Sequence, residues 1–264
     1  MINKIIAILF LVLFTIFFVI YFKFYINNDI DKIYVINLKK RPERLENFKK
    51  NYKLNREFII YNAIDGTELD NNYINSIIGI EGKKSIDNYY KHKIIRKYHY
   101  ELSSYGAIGC YLSHVNIWKE IIKNNIKNAI IFEDDANVSN IKYNDIIKRL
   151  KLLPNDWDIY LLINPTFCYQ KEQVENKRNL YKVNRFFLLH SYIININACK
   201  KIIESGLLFP INQQIDHHLS ELALNNKLNI YIHNKLSYYD TFLEKTDIQI
   251  NTTSNLSYER FELI

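Results

Sequence analysis

Short apolar runs alternate with amphipathic stretches along most of the chain. KIYVINL (32–38), NAIIF (128–132) and LNIYIH (228–233) are rich in β-branched residues and too short for helices, so they predict buried strands. Residues 104–125 carry two adjacent apolar stripes at 3.6-residue spacing and predict a long, largely buried helix. The second of these stripes consists of Ala107, Cys110, His114, Trp118 and Ile121. The alternation predicts an α/β fold, with a mostly parallel sheet and helices on both faces.

The remaining segments complete this pattern. Further strands are expected within 57–66, 156–163 and 184–195, and further helices at 42–52, 68–78, 143–151, 197–205 and 216–226. Two segments, 79–100 and 164–178, lack apolar periodicity and predict loops. We expect these loops to carry binding residues, since loops on a rigid scaffold often do.

The first residues predict a membrane segment. Residues 5–22 contain no charged side chain and, as a helix, would span roughly 27 Å of a hydrocarbon core about 30 Å thick. A cleaved signal peptide is the alternative, but the stretch is long for one and no small-residue cleavage site follows it. We expect a single-pass N-terminal anchor in residues 1–26, a catalytic domain in 27–243 and a polar tail in 244–264. The side of the membrane stays undetermined.

Composition and charge exclude some partners. The formal net charge is +7, but the excess is spread along the chain and no zinc-finger or RNA-binding motif accompanies it. We therefore expect no nucleic-acid partner. The three cysteines Cys110, Cys168 and Cys199 have no metal-ligand spacing, and we expect them to be buried small apolar groups.

The sequence AIIFEDDANV (129–138) places three carboxylates directly after a buried strand. In open α/β sheets ligands gather at the carboxyl ends of the strands, which is where Glu133, Asp134 and Asp135 are expected. In extended chain, Glu133 and Asp135 would share a face and Asp134 would point away. That spacing suits a hard divalent cation, Mn²⁺ or Mg²⁺, which in turn binds diphosphate oxygens. The alternative is that the cluster only solvates a loop or caps a helix.

Six stretches together resemble glycosyltransferase family 25, which includes bacterial lipopolysaccharide sugar transferases and collagen galactosyltransferases. They are IYVINLKKRPERL (33–45), NAIDGTEL (62–69), GAIGCYLSHVNIWKEI (106–121), IIFEDDANV (130–138), LPNDWDIYLL (153–162) and QQIDHHLS (213–220). The resemblance implies a GT-A type, Rossmann-like fold. It also implies inverting transfer of a hexose, galactose or glucose, from a nucleotide diphosphate sugar. The acceptor would be a hydroxyl of a glycan, a lipopolysaccharide or a hydroxylated protein.

The resemblance also implies roles for particular residues. The family's acidic motif falls on Glu133, Asp134 and Asp135, with Glu133 and Asp135 as the expected metal ligands. The expected donor-binding residues are Asn37, Leu38, Arg41, Arg44, Asp65, Gly66, His114 and Asp134. Asp216 is the expected catalytic base, with metal ligation as its other role and His217 and His218 as the next candidates.

Each role has a structural alternative. Arg44 would be a surface charge, His114 a core histidine and Asp216 a helix N-cap. For the whole chain, the alternative is a catalytically inactive family member that serves as a membrane-tethered binding or scaffold protein.

Overall fold

The computed structural model describes residue 10 and residues 12–18, 30–92, 98–163 and 165–234. Residues 12–18 are helical. Among these described residues, no helix combines the length and apolar character needed to cross a bilayer. Most of the predicted anchor and the whole predicted tail lie outside them, as does the rest of the predicted domain after residue 234.

Eight strands and seven α-helices make up the described domain. The strands are β1 (Lys32–Asn37), β2 (Ile59–Asn62), β3 (Asn128–Glu133), β4 (Ile159–Leu161), β5 (Cys168–Gln173), β6 (Leu180–Phe186), β7 (Ser191–Asn195) and β8 (Ile230–His233). The helices are α1 (Pro42–Asn51), α2 (Asn71–Ile77), α3 (Ile80–Tyr90), α4 (Tyr105–Lys123), α5 (Tyr143–Leu150), α6 (Ile196–Glu204) and α7 (Ile215–Leu224). Two 3-10 turns, Gly66–Glu68 and Pro165–Phe167, complete the elements.

All eight strands form one mixed sheet in the order β2-β1-β3-β7-β4-β8-β6-β5. The pairs β1–β2, β1–β3 and β4–β8 are parallel, whereas β7 and β6 run antiparallel to their neighbours. The predicted α/β class is confirmed, and most of the strands run in the same direction. The two reversed strands were not predicted, because apolar runs carry no information on strand direction.

Each face of the sheet has its own hydrophobic core. Alternate residues of a strand point to opposite faces, so Ile131 of β3 packs in one core and Phe132 in the other. Helices α4, α6 and α7 cover the first core, and α1 and α5 cover the second. Helices therefore lie on both faces, as the continuous apolar strands predicted.

Both predicted loops contain regular structure. Within 79–100, residues Ile80–Tyr90 form α3, so the prediction of a loop was wrong there. Within 164–178, residues Cys168–Gln173 form β5, which pairs only with β6 at the edge of the sheet. An edge strand has one partner and is largely exposed, so it needs no apolar alternation, and its sequence reads as a loop.

Candidate functional site

The acidic cluster lies where two parallel strands end. In the register of β1 and β3, Ile36 pairs with Glu133. The chain then turns, and the Asp134 backbone N–H donates to the Ile36 carbonyl oxygen at 3.1 Å. The carboxylates are therefore fixed at the carboxyl edge of the sheet, as the sequence predicted.

A cavity opens beside this edge. Its wall includes seven of the predicted site residues, namely Leu38, Arg44, Asp65, Gly66, Glu133, Asp134 and Asp135. Lys40, Thr67 and Cys110 also line it and were not predicted as site residues. Lys40 forms an ion pair with Asp65. This ion pair connects the loop after β1 to the loop after β2.

Two glycines bring one wall of the cavity against α4. A Cβ added to Gly66 would overlap the carbonyl oxygen of Tyr105, and one added to Gly109 would overlap the carbonyl oxygen of Ile64. The turn that begins at Gly66 therefore packs directly on the start of the helix. Asp65 is held in place here as well, because it accepts hydrogen bonds from the Thr67 backbone N–H and hydroxyl at 3.0 and 2.6 Å.

Arg44 bridges two of the carboxylates. Its Nη2 atom lies 2.7 Å from Asp134 Oδ1 and 2.6 Å from Asp135 Oδ2. Asn37 donates from its amide to Asp134 Oδ2 at 2.6 Å and to the Arg41 carbonyl oxygen at 3.0 Å. Arg44 is 9% exposed, so the alternative of a surface charge is wrong for this residue. Arg41 itself pairs with Glu43, whose carboxylate is exposed.

Alternation along an extended chain, the reason for pairing Glu133 with Asp135, does not apply here, although both residues line the cavity. Strand β3 ends at Glu133, and residues 134–135 form a turn closed by the Ala136 N–H on the Glu133 carbonyl oxygen at 3.0 Å. Alternation applies only to extended chain. Asp134 and Asp135 therefore share Arg44, while Glu133 contacts α4.

Glu133 ends a buried chain of hydrogen bonds. Trp118 Nε1 donates to the Tyr192 hydroxyl oxygen at 2.9 Å, and this oxygen lies 2.9 Å from His114 Nδ1. His114 Nε2 lies 3.3 Å from Glu133 Oε1. His114 is fully buried and contacts Glu133 from α4, so among the described residues it supports the wall of the cavity without lining it.

The three carboxyl groups differ in their affinity for protons. Burial raises the pKa of Asp134 to about 6, against the attraction of Arg44. Burial and the neighbouring charge of Glu133 raise the pKa of Asp135 to about 7. Burial also opposes ionisation of Glu133, but the hydrogen bond and charge of His114, together with the charges of His190 and Arg44, outweigh burial and place the pKa below the usual range. Near neutral pH the cluster therefore gains from any added positive charge.

A divalent cation fits these residues. The Asp135 Oδ1 atom is buried and has no hydrogen-bond partner, and a buried carboxylate oxygen without a partner is costly. The ionisable side chains of the wall are two cationic groups, Lys40 and Arg44, and four carboxyl groups. Oxygen ligands and excess negative charge are what Mn²⁺ and Mg²⁺ prefer.

Asp216 lies in the first turn of α7. Its Oδ2 accepts the Leu188 backbone N–H at 2.9 Å, and its Oδ1 accepts the His217 N–H at 2.7 Å. The N-cap of α7 is Gln214, so the alternative that Asp216 caps the helix is wrong. Asp216 is not on the cavity wall, but its charge, with those of Glu133 and Asp135, adds to burial in raising the pKa of Cys110.

His217 and His218 are less suited to act as bases. Burial lowers the pKa of each to about 4. The His217 ring also lies 2.8 Å from Gln213 Oε1 through Nδ1. A base with so low a pKa accepts a proton weakly at neutral pH, so Asp216 remains the better candidate.

The fold and site together define an α/β protein with a cavity lined by carboxyl groups at the carboxyl edge of the sheet. The profile of glycosyltransferase family 25 (LPS biosynthesis protein) matches residues 30–219, from the start of β1 to α7. The chain therefore belongs to this family, and its class is that of the glycosyltransferases.

Relatives in animals show the same similarity. Procollagen galactosyltransferase 1-B of Xenopus laevis is 27% identical over 192 residues, which cover 69% of this chain and 30% of that protein. Procollagen galactosyltransferase 2 of Homo sapiens is 24% identical over 195 residues, or 69% of this chain and 29% of that protein. The "Probable inactive glycosyltransferase 25 family member 3" of Bos taurus is 23% identical over 206 residues, or 72% of this chain and 33% of that protein. The matched region thus spans about a third of each relative.

Proposed function

We propose that this chain is a membrane-anchored, metal-assisted glycosyltransferase. It transfers a hexose, galactose or glucose, from a nucleotide diphosphate sugar to a hydroxyl group, with inversion at the anomeric carbon. The acceptor hydroxyl belongs to a glycan, a lipopolysaccharide or a hydroxylated protein. The names of the two procollagen galactosyltransferases support galactose and a protein acceptor, and the family description supports a lipopolysaccharide.

The observation that carries this proposal is the unpaired Asp135 Oδ1 in a cavity wall with excess negative charge. A diphosphate is itself anionic, and a wall with four carboxylates and two cationic groups would repel it. Donor binding at this edge therefore requires an added cation, for which Glu133 and Asp135 are the ligands. When bound, the Mn²⁺ or Mg²⁺ ion stabilises the negative charge that develops on the departing diphosphate.

The side chains of this protein have distinct tasks in that reaction. Arg44 and Asn37 fix Asp134, and Arg44 also fixes Asp135. Asp216 takes the proton of the acceptor hydroxyl while the hydroxyl oxygen attacks the anomeric carbon and the bond to the diphosphate breaks. Its two backbone hydrogen bonds hold the carboxylate in place, so that little reorganisation is needed during the reaction.

The experiment is a nucleotide-release assay on the full-length chain. A panel of nucleotide diphosphate sugars that includes galactose and glucose donors is supplied with Mn²⁺, with Mg²⁺ or with EDTA. We expect release with a galactose or glucose donor, stimulation by Mn²⁺ or Mg²⁺, and loss of activity in EDTA. Asp135→Asn should abolish release, whereas Glu172→Gln, at an exposed carboxylate of β5, should not. Activity that ignores EDTA would overturn the metal-assisted part of the proposal.

The alternative is a catalytically inactive member that acts as a membrane-tethered binding or scaffold protein. The similarity to the Bos taurus protein, whose name describes it as inactive, favours this alternative. The two proposals differ in one measurement: donor binding, followed by thermal shift, without nucleotide release from any donor would support the inactive member.

Membrane anchoring is part of the proposal because residues 5–22 are apolar and uncharged. Sedimentation of the expressed chain with membranes through an alkaline carbonate wash tests it. Protease treatment of intact vesicles then gives the side on which the domain lies.

A further inference from the structure

Three different metal-binding side chains meet at the cavity wall. Cys110 and His114 are four residues apart on α4, so they point to the same face of the helix. Glu133 reaches them from the end of β3. One ligand atom of each, the Cys110 sulfur, a His114 ring nitrogen and a Glu133 carboxylate oxygen, lies within 4.8 Å of the other two.

The spacing of the nitrogen and oxygen atoms suits tetrahedral coordination. His114 Nε2 and Glu133 Oε1 are 3.3 Å apart, longer than the usual N–H···O hydrogen bond of about 2.9–3.0 Å. In a tetrahedral zinc site with bonds of about 2.0–2.1 Å, the same two atoms would lie about 3.3 Å apart. The distance between these two ligand atoms therefore already suits the ion, and the Cys110 sulfur lies within 4.8 Å of both.

The surroundings of His114 also resemble those of a metal-ligating histidine. Such a histidine uses its second ring nitrogen to donate to a fixed acceptor, which sets the orientation of the ring. His114 Nδ1 lies 2.9 Å from the Tyr192 hydroxyl oxygen, and Trp118 holds that oxygen from its other side. A hydroxyl oxygen has two lone pairs and accepts from both. In the metal-bound tautomer the ring proton thus lies on Nδ1, and Nε2, which otherwise donates to Glu133, presents its lone pair to the ion.

We propose that Cys110, His114 and Glu133 form a Zn²⁺ site with its fourth position open to the cavity. Cys110 and Glu133 both line the cavity, so a water or a ligand atom reaches the ion from that side. Thiolate and imidazole ligands favour Zn²⁺ over Mn²⁺ and Mg²⁺, which prefer oxygen. The Cys110 thiol loses its proton to solvent as the zinc–sulfur bond forms, so affinity falls as the pH is lowered.

This site shares Glu133 with the cation of the proposed transferase reaction. Zn²⁺ bound through Glu133 takes a carboxylate oxygen and negative charge from the donor-side ion, so we expect Zn²⁺ to weaken the binding of Mn²⁺. Zn²⁺ is therefore expected to inhibit transfer by withdrawing Glu133 from the donor side. The Zn²⁺ site itself does not rest on the proposed function, since binding is measured without any sugar donor.

The test uses the EDTA-stripped full-length chain. Zn²⁺ is titrated against a chromophoric chelator, with Cys110→Ser and His114→Gln as test variants and Cys168→Ser as the control at another free cysteine. We expect one Zn²⁺ per chain, with affinity reduced by more than about 100-fold in both test variants, beyond the loss typical of removing an outer-shell partner. The control should bind as the unmodified chain does.

Co²⁺ provides a readout that needs no variant. Bound at this site, it should give a sulfur-to-cobalt charge-transfer band in the near ultraviolet, and the band is absent when no thiolate ligates the ion. Asp135→Asn should lose Mn²⁺ binding, followed by electron paramagnetic resonance, and keep Zn²⁺ binding. Absence of the Co²⁺ band, or Zn²⁺ binding that ignores Cys110→Ser and disappears in Asp135→Asn, would overturn the proposal.

Discussion

Replacing Asp135 by asparagine is expected to stabilise the protein while it abolishes transfer. Asparagine removes the charge that Glu133 repels and keeps an oxygen for Arg44, which also retains its contact with Asp134. A residue that weakens the fold at the pH where it would work is typical of a functional site. The thermodynamic effect is therefore a test of function as well as of electrostatics.

The magnitude follows from the pKa of Asp135, which rises from its ordinary value of 3.8 to about 7 in the folded protein. That difference corresponds to about 4 kcal/mol, at about 1.4 kcal/mol for each tenfold change in proton affinity. The attraction of Arg44 is already included in the raised pKa. The Asp135 side chain is 21% exposed, so solvent screens part of the repulsion. We therefore expect a gain of about 2–4 kcal/mol.

The sign of the pH dependence is fixed by the same pKa. A carboxyl group whose pKa is raised by folding holds its proton more tightly in the folded state, so wild-type stability falls as the pH rises from about 4 to about 7. Asparagine does not titrate. The gain in the free energy of unfolding from Asp135→Asn should thus be small at pH 4 and reach its full size at pH 8.

Urea denaturation of both chains at pH 4, 6 and 8 in EDTA measures this difference, with Glu172→Gln as a control for loss of an exposed carboxylate. Replacing the EDTA by Mn²⁺ should then stabilise the wild type by about 2.7 kcal/mol at an ion concentration of 100 times Kd, and it should not stabilise the variant. A variant less stable than wild type at pH 8, or a gap that does not change with pH, would refute the reasoning and make Asp135 a structural ion-pair partner of Arg44.

Three further changes probe the site and the packing that supports it. Asp216→Asn keeps an acceptor for the Leu188 N–H, so unfolding should stay near wild type while turnover is lost; Asp216→Ala should also destabilise by about 1–3 kcal/mol in thermal unfolding. Arg44→Gln leaves two buried carboxylates without their cation and should cost about 3–5 kcal/mol at pH 8, and adding Asp135→Asn should restore part of that loss in a double-mutant cycle. Gly109→Ala forces a Cβ into the Ile64 carbonyl oxygen, so we expect a lower melting temperature and weaker donor binding, whereas Ala107→Gly on the same helix should leave the cavity wall in place.

The position of the site was predictable because it follows from a local pattern. An apolar strand followed at once by carboxylates marks the carboxyl edge of a sheet, and Glu133 lies there. The buried helix α4 was equally clear from its two stripes. Such features depend on residues close together in sequence, and the sequence displays them directly.

Helix α3 was missed because residues 79–100 lack apolar periodicity and contain two glycines, Gly79 and Gly82, which are typical of loops. Gly82 lies inside the helix, where a Cβ would overlap the carbonyl oxygen of Ile211. The Gly79 N–H donates to that same oxygen at 2.9 Å. These glycines permit close approach of a distant segment and do not break the helix. The residue that contacts these glycines lies more than a hundred positions away in the chain, so local composition does not indicate the contact.

One pattern in the sequence indicated metal binding by Cys110. Cysteine spacing alone showed no metal motif, but Cys110 and His114 already shared the second predicted stripe of their helix. Two ligand types four residues apart on one helix form a recognised half-site for zinc. What the sequence could not supply was the third ligand, because Glu133 joins the pair only through the packing of α4 on the sheet.

Glu133 belongs to both proposed cation sites, and its partners explain why it stays ionised. Burial favours the protonated form of all three carboxyl groups. Arg44 offsets this effect only in part for Asp134 and Asp135, but His114 contacts Glu133 and keeps its pKa low. Because Glu133 stays charged at the cavity wall, it attracts any divalent cation. Ligand type then decides the outcome, with oxygen from Asp135 favouring Mn²⁺ and sulfur from Cys110 favouring Zn²⁺. The relative supply of these two ions is therefore expected to set the activity of the proposed enzyme.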